Sequence, residues 1–187
     1  MPCPAPQGRD DIAQGVSPGA GGATSGSDSS PAAGRKIMAQ TLTNLLFHVV
    51  FSTKDRLPLI DAELKPDLLA YIGGIVRELG GKLLAANGTA DHVHLLLRLP
   101  PRLALADAVR VVKTNSSRWV HQSRALRRRF QWQAGHGAFS VSQSIVPEVV
   151  HYIRNQEQHH RRVSFQEELL AFLKRHGIEY DEQYIRE

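Results

Sequence analysis

The sequence predicts an α+β fold of the ferredoxin-like or RRM-like type, in which helices pack on an antiparallel sheet, preceded by a disordered N-terminal tail. Three observations lead to this prediction. Short strand-like segments are interleaved with longer segments of helical periodicity, two consecutive strand-like segments are joined by a tight turn, and residues 1–37 carry almost no large apolar side chains. The 187 residues suffice for one ordinary domain.

The first half of the domain predicts a strand, a helix and a hairpin. Apolar residues alternate over 45–51, which is typical of a strand buried mainly on one face. Residues 61–79 carry apolar side chains at helical spacing, and the helix is expected to stop at Gly80-Gly81. The hairpin comprises predicted strands at 82–86 and 92–99, joined by a turn that contains Asn87-Gly88.

The second half predicts three helices and one short strand. A helix is expected over 103–125, a strand over 138–143 and a helix over 147–160, with Pro147 near its first turn. The last helix is expected over 164–176. Its first turn contains Ser164 and Glu167 in the spacing of a capping box.

Residues 1–37 are predicted to be a disordered tail that precedes a single domain at 38–187. The tail is rich in Gly, Ser, Ala and Pro, and such a segment cannot bury enough surface to offset its ordering entropy. Patterned sequence begins directly after Met38, which suggests either that Met38 is the natural start or that the tail is a genuine flexible arm. The single cysteine, Cys3, lies in this tail, so the domain has no disulfide framework and no cysteine-based zinc site.

The charge of the chain indicates a polyanionic partner. The net charge is +5, and it belongs to residues 38–187 because the basic and acidic residues of the tail balance. Several arginines cluster between Arg124 and Arg129, although such a run is also typical of a solvated helix end. No apolar stretch is long enough to span a bilayer, and a cytoplasmic protein is expected.

The most informative motif is the pair of histidines at the start of the strand 92–99. Side chains two apart on a strand point to the same face, so His92 and His94 are expected to project together. Two imidazoles side by side make half of a metal site. The alternative is that they are two polar residues on a solvated face of the sheet.

A second group of polar residues lies on the helix 147–160. Tyr152 and Gln156 are four residues apart and share one helical face, which His159 and His160 continue one turn later. A phenol with a pKa near 10 becomes a useful nucleophile when a divalent metal polarises its phosphodiester target. Gln156 can supply an amide oxygen as third metal ligand, with His159 or His160 as competitors, and this set contains no carboxylate. The alternative for Tyr152 is a half-buried ring with its hydroxyl in water.

Together, His92-Val93-His94, Tyr152 with Gln156 and the block 130–142 resemble the HUH-type single-tyrosine transposases of bacterial insertion sequences and the REP-associated tyrosine transposases. The segments 45–54 and 152–160 also match, so the resemblance extends over essentially 38–184. It implies that His92, His94 and Gln156 bind magnesium or manganese and that Tyr152 attacks the DNA backbone.

The resemblance further implies the reaction and the partners. It implies that cleavage leaves a 5′-phosphotyrosine and a free 3′-OH, which a second transesterification rejoins without ATP. Members of this family act as dimers on hairpins in single-stranded DNA, and Tyr152 is accordingly expected to serve the metal site of its own chain or of its partner.

Several other side chains are candidates for DNA contact. A basic or aromatic side chain can bind phosphate or stack on an unpaired base, although Trp132 is equally expected in the core. The candidates are Lys54, Arg56, Lys113, Arg118, Arg127, Arg128 and Trp132.

The remaining tyrosines are weaker candidates for the nucleophile. Tyr71 lies in an apolar helical segment and is expected in the core. Tyr180 and Tyr184 resemble a two-tyrosine pair, but the acidic residues around them would repel a phosphate.

Two other functions remain compatible with the sequence. A non-catalytic nucleic-acid-binding module of ferredoxin-like fold would need neither a metal nor Tyr152. A metallohydrolase that activates water on the same histidines would keep its activity without the Tyr152 hydroxyl.

Overall fold

The computed structural model describes residues 42–123 and 129–181, so the predicted tail at 1–37 lies outside the described residues. In this part of the chain, four antiparallel strands form one sheet in the order β2-β3-β1-β4. The strands are β1 (Leu45–Ser52), β2 (Lys82–Gly88), β3 (His92–Leu99) and β4 (Gly137–Ser140). The predicted antiparallel α+β architecture is confirmed.

Helices cover both faces of the sheet. Short 3-10 turns at Lys54–Arg56 and Gln143–Ile145 follow β1 and β4. The helices are α1 (Leu64–Glu78), α2 (Leu105–Ser123), α3 (Val146–Arg154), α4 (Gln156–His159) and α5 (Phe165–Arg175). Among the described residues, no helix has the length and apolar character needed to cross a membrane.

The main core lies between α1, α2 and one face of the sheet. Every second residue of β1 and β3 faces this core, as the alternation of the sequence predicts. Val49 of β1 is paired with Leu95 of β3, and both are almost completely buried. The apolar stripe of α1, from Leu64 to Val76, packs here. Burial of this apolar surface is the main force that stabilises the sheet.

The opposite face of the sheet is covered by α3, α4 and α5. Leu96 of β3 packs against Ile153 of α3 in a second, smaller apolar cluster. In the register of β1 and β3, His94 is paired with Val50 and His48 with Leu96. Directly paired residues point to the same face, so His48 and His94 both lie under the helices of this second layer.

Two predicted elements differ in the structure. Asn87 and Gly88 do not form the hairpin turn but end β2, and the chain reverses over 89–91. Gly88 is instead paired with Val93, and the turn is closed by the Thr89 hydroxyl, which donates to Oδ1 of Asp91 at 2.7 Å.

The predicted helix 147–160 is interrupted at Asn155, where α3 ends and α4 begins. The Asn155 side-chain amide donates to the carbonyl oxygen of His151 at 2.8 Å, which is the acceptor that a continuing helix uses. The backbone N–H of Asn155 donates to the same oxygen at 3.2 Å, so the side chain adds a local hydrogen bond at the position where α3 ends.

The last helix agrees with the sequence. Ser164 and Glu167 form the predicted capping box at the start of α5. After α5, Gly177 adopts a φ of 62°, a left-handed conformation that terminates helices and that glycine adopts without steric cost.

Candidate functional site

His92 and His94 project from β3 on the same face, as predicted, and both lie beneath the second helical layer. Their side chains are 1% and 0% exposed, and their ring centroids are 5.1 Å apart. The alternative of two polar residues on a solvated face is therefore wrong.

Each of these histidines is held through its Nδ1 atom. Nδ1 of His92 lies 2.7 Å from Oδ1 of Asp91, which as a carboxylate accepts the ring proton. Nδ1 of His94 shares a hydrogen bond of 3.0 Å with Nε2 of His48. Burial lowers the pKa of His94 to about 4, and burial together with His94 lowers that of His48 to about 3. Both rings are therefore neutral near pH 7, the form in which imidazole binds metals.

His160, at the end of α4, brings a third imidazole to the site. Its Nε2 lies 2.9 Å from Nε2 of His92. Its Nδ1 lies 2.9 Å from the carbonyl oxygen of Val163, which can only accept a hydrogen bond. Burial alone would lower the pKa of His160, but the nearby Glu168 carboxylate raises it.

Glu168 of α5 is the central residue of the site, and sequence reasoning missed it. Its carboxylate is buried against the predicted site residues: Oε1 accepts the hydroxyl proton of Tyr152, and Oε2 lies 3.2 Å from Nε2 of His94 and 3.4 Å from Nε2 of His160. Burial opposes ionisation, but the contacts with His160 and His94 hold the pKa of Glu168 well below its usual range.

The sequence contained a signal for Glu168. It shares the inner face of α5 with Phe165 and Phe172, three residues before and four after it. A carboxylate on the apolar face of an amphipathic helix needs a buried partner, since an unpaired buried charge is very costly.

Tyr152 lies on α3 with its ring edge-on to His94, at a centroid distance of 6.1 Å. Its hydroxyl is not in water, as the alternative supposed, but is bound to Glu168. Burial, and then this hydrogen bond to an ionised carboxylate, raise the pKa of the phenol well above 10. The phenol is therefore protonated in this arrangement.

Gln156 is completely buried at the start of α4, next to Tyr152 and Glu168. Its Nε2 lies 3.3 Å from Oε1 of Glu168. Tyr152 and Gln156 are thus close together, as predicted, although the helix is interrupted between them at Asn155. His159 is farther out, partly exposed, with its Nε2 3.5 Å from the Glu168 carboxylate.

The polar atoms of this site fit a metal ion. Within the described ranges, three buried side-chain atoms have no hydrogen-bond partner of good geometry: Nε2 of His94, Oε1 of Gln156 and Oε2 of Glu168. Buried polar atoms without partners are rare in proteins, and each calls for an explanation such as an ion. One atom each from His92, His94, His160 and Glu168 lie within 4.8 Å of one another.

The predicted DNA-contact residues are distributed over different parts of the molecule. Arg56 lines an open cleft of about 720 Å³ that His92 and His160 also line, and the nearby Lys54 is exposed. Arg118 is exposed on α2, which packs on the opposite face of the sheet. Arg127 and Arg128 lie outside the described residues.

Two of these candidates have structural partners. Lys113 donates through Nζ to the carbonyl oxygens of residues 133–135, and burial lowers its pKa to about 8. Trp132 packs edge-on against Phe51 and Phe130, and its indole N–H donates to the Ser116 hydroxyl at 2.9 Å. This packing favours the core alternative for Trp132.

Tyr71 lies on α1, across the sheet from the histidines. Tyr71 is 37% exposed and stacks on Trp119, so its predicted place in the core is wrong. The helix α1 turns its apolar stripe inward and leaves this ring at the edge. Tyr180 is partly buried beyond α5, and Tyr184 lies outside the described residues.

Comparison with known proteins places the chain in a family. The family described as "Transposase IS200 like" matches residues 41–156, more than half of the sequence. The chain belongs to the IS200-like transposases. The transposases of insertion sequence IS200 from Salmonella typhimurium and Salmonella typhi are each 27% identical to it over 130 residues, which cover 65% of this chain and 82% of theirs.

Solved structures share the fold of this IS200-like transposase. A Deinococcus radiodurans protein assigned as a transposase is 25% identical, with a TM-score of 0.51 over 65% of this chain and 97% of the other. A REP-associated tyrosine transposase bound to a REP hairpin is 15% identical, with a TM-score of 0.50 over 68% and 75% of the two chains.

The family match divides the site of this IS200-like transposase into two parts. His92, His94, Tyr152 and Gln156 lie within the matched residues 41–156. His160 and Glu168 come from the chain beyond the match, although their side chains meet the same buried atoms.

Proposed function

We propose that this transposase cleaves and rejoins single-stranded DNA through a covalent 5′-phosphotyrosine formed on Tyr152. The observation that carries the proposal is that the Tyr152 hydroxyl and the Nε2 atom of His94 meet at the same buried carboxylate of one chain. The proposed nucleophile and one of the proposed metal ligands thus contact the same carboxylate. In this arrangement Tyr152 lies beside the histidines of its own chain, and exchange with a partner's site is a further possibility of the family.

The chemistry is a pair of balanced transesterifications. The Tyr152 oxygen forms a bond to phosphorus, the bond to the 3′ oxygen breaks, and the phenolic proton is delivered overall to that oxygen as a 3′-OH. The number of phosphodiester bonds is conserved, so a second attack by a 3′-OH on the phosphotyrosine restores the DNA without ATP. The protein binds, orients and desolvates the reacting groups.

The residues proposed to hold a divalent metal are His92 and His94, with Gln156 as third ligand and His160 as its competitor. The orphaned Oε1 of Gln156 and the neutral ring of His94 support this set. A bound magnesium or manganese ion would polarise the phosphate and stabilise the charge of the five-coordinate transition state. Of these two ions, manganese is better suited to imidazole ligands.

The proposed substrate is single-stranded DNA with hairpins near the element ends, and the proposed assembly is a homodimer in the cytoplasm. The family resemblance supports the hairpin and the dimer. The open cleft beside His92 and His160, with Arg56 on its wall, gives a single strand room to approach the site. The guanidinium of Arg56 offers a planar set of donors that suits a phosphate.

The test is formation of a covalent protein–DNA adduct. The full chain is incubated with single-stranded DNA that carries the ends of its own element, with Mn²⁺ or Mg²⁺, and the products are separated under denaturing conditions. We expect an adduct and a free 3′-OH fragment from the wild type, and neither from Tyr152→Phe. Tyr71→Phe is the matched control, because it removes a hydroxyl from an exposed ring on α1 and should leave the adduct unchanged.

Two results would contradict the proposal. Cleavage that persists in Tyr152→Phe without an adduct would indicate a metallohydrolase. DNA binding without cleavage, indifferent to metal and to Tyr152, would indicate a non-catalytic binding module.

A further inference from the structure

We propose that His160 and Glu168 complete, with His92 and His94, a closed four-ligand metal site of the zinc type, which is the resting state of this active site. The inference deepens the proposed function, and it rests on that function only where it concerns Tyr152 as the nucleophile. The two additional ligands come from α4 and α5, beyond the part of the chain that matches the family.

The hydrogen bonds of the three histidines point their free nitrogens at one another. The Asp91 carboxylate and the Val163 carbonyl can only accept, so His92 and His160 both donate from Nδ1 and are left with a lone pair on Nε2. These two Nε2 atoms are 2.9 Å apart. Two lone pairs at that distance repel each other unless a proton or a metal ion lies between the two nitrogen atoms.

His94 completes the same pattern. Its Nδ1 is engaged by His48, and its buried Nε2 has no hydrogen-bond partner of good geometry among the described residues. All three rings are thus anchored on the outer nitrogen and open on the inner one. This is the arrangement of metal-ligating histidines, whose second nitrogen is held by a carboxylate, a carbonyl or another acceptor.

The distances between ligand atoms correspond to a small tetrahedral site. For zinc bound to imidazole nitrogen at about 2.0–2.1 Å, the edge of the tetrahedron is about 3.4 Å. The separations are 2.9 Å between His92 and His160, 3.2 Å between His94 and Glu168, and 3.4 Å between His160 and Glu168. All four ligand atoms lie within 4.8 Å of one another, so they surround a space of the size of one ion.

The chemical type of the four ligand atoms favours a particular class of metal ion. Three imidazoles and one carboxylate suit zinc and related transition metals better than magnesium, which prefers oxygen ligands in an octahedral shell. Four protein ligands also make a structural type of site, since a catalytic zinc site keeps a position open for water or substrate.

Glu168 links the closed site to the nucleophile. While Oε2 faces the histidines, Oε1 accepts the hydroxyl proton of Tyr152. The same carboxylate thus occupies a coordination position that a phosphate oxygen would need and holds the nucleophile away from it. Displacement of Glu168 would free the coordination position and the Tyr152 hydroxyl at once, and His92, His94 and Gln156 remain as the set proposed for catalysis.

The test is metal binding by the full chain in the absence of DNA. The protein is stripped with a chelator, and its Zn²⁺ affinity is measured by competition with a chromophoric chelator. We expect Glu168→Gln and His160→Ala each to weaken Zn²⁺ binding by at least about 100-fold, the upper end of what the loss of an outer-shell partner costs. Glu179→Gln and His151→Ala are the matched controls, because both residues are exposed and lie outside the cluster, and they should bind Zn²⁺ like the wild type.

The geometry is tested by Co²⁺ substitution, because four-coordinate Co²⁺ absorbs visible light far more strongly than six-coordinate Co²⁺. We expect an intense spectrum from the wild type and a weak one from Glu168→Gln. A weak, six-coordinate spectrum from the wild type would overturn the inference without recourse to any variant. Zn²⁺ affinity that is the same in the wild type and in folded Glu168→Gln and His160→Ala would overturn it as well.

The outcomes separate this inference from the proposed function. A Tyr152-dependent adduct, together with Zn²⁺ affinity that does not change in Glu168→Gln and His160→Ala, would support the proposed transposase chemistry and contradict the four-ligand metal site. A four-coordinate Co²⁺ site without any Tyr152 adduct would support the four-ligand metal site and contradict the proposed transposase chemistry.

Discussion

At the scale of single residues, the site depends on polar groups that are fully enclosed and therefore sensitive to their partners. A buried imidazole or carboxylate that loses its hydrogen-bond partner bears the full cost of desolvation. His48 illustrates this dependence, because its buried neutral ring is the hydrogen-bond partner of Nδ1 of His94. Residues that do not contact the substrate can thus determine the orientation of the proposed metal ligands.

Asp91 is the clearest case for a measurement at this scale. Its carboxylate accepts from Nδ1 of His92 at 2.7 Å, so Asp91→Asn replaces a charged acceptor by a neutral amide and permits the wrong tautomer. We expect the affinity for Zn²⁺ or Mn²⁺ to fall by about 10–100-fold, measured by competition with a chelator. Asp107→Asn, on the exposed start of α2, is the control. Equal affinities in the two variants would show that Asp91 does not position His92.

At the scale of elements, three irregular features bring the site together. The break at Asn155 redirects the chain after Tyr152, so that Gln156 and His160 follow on a separate helix. The capping box at Ser164 starts α5 at Phe165, three residues before Glu168. The hairpin turn at 89–91 places Asp91 directly before His92.

The hairpin can be tested at Gly88, where β2 approaches β3 most closely. A Cβ atom at this position would lie 2.1 Å from the carbonyl oxygen of His92 and 2.8 Å from Cα of Val93. Because both are backbone atoms of the strand that carries the histidines, we expect Gly88→Ala to lower the free energy of unfolding by about 3 kcal/mol. Denaturant unfolding measures this loss, and metal affinity should fall with it.

Gly74→Ala is the control for the hairpin variant. Gly74 lies within α1, and a Cβ atom there meets nothing within 4 Å. The change should raise the free energy of unfolding by about 0.5–1 kcal/mol, because glycine is a poor helix former. If Gly88→Ala were as stable as Gly74→Ala, the close approach of β2 to His92 would not constrain the hairpin.

At the scale of the whole molecule, the sheet separates the main apolar core from the candidate site. The face that carries Val49 and Leu95 forms the main apolar core with α1 and α2. The other face carries the histidines beneath α3, α4 and α5. The main core and the candidate site thus lie on opposite sides of the same strands, and the cleft beside His92 and His160 is lined by residues of both α1 and α5.

This separation predicts different roles for two arginines in DNA binding. Arg56 lines the cleft beside His92, whereas Arg118 lies on α2 across the sheet. Titration of single-stranded DNA at several salt concentrations should show that Arg56→Ala reduces the salt-dependence slope by about 0.7, the value of one phosphate contact on a single strand. Arg118→Ala should leave the slope unchanged, and an equal loss in both variants would mean that DNA does not follow the cleft.

The sequence by itself determined the α+β class, most of the strands and helices, and the shared face of His92 with His94. These features follow from local periodicity, because side chains two apart on a strand or four apart on a helix are brought together by geometry that needs no other part of the chain. The break at Asn155 was not predicted, because the apolar periodicity continues across it while the Asn155 side chain bonds back to the carbonyl oxygen of His151.

Only the tertiary structure decided which residues from distant parts of the chain close the site. His160 and Glu168 meet His92 and His94 because α4 and α5 pack over β3, and no local rule relates positions so far apart in sequence. Packing also decided that Trp132 fills the core beside Phe51 and that Arg118 lies across the sheet from the histidines. Burial of polar side chains is a property of the assembled layers, so the closed set of three imidazoles and one carboxylate emerges only when the helices cover the sheet.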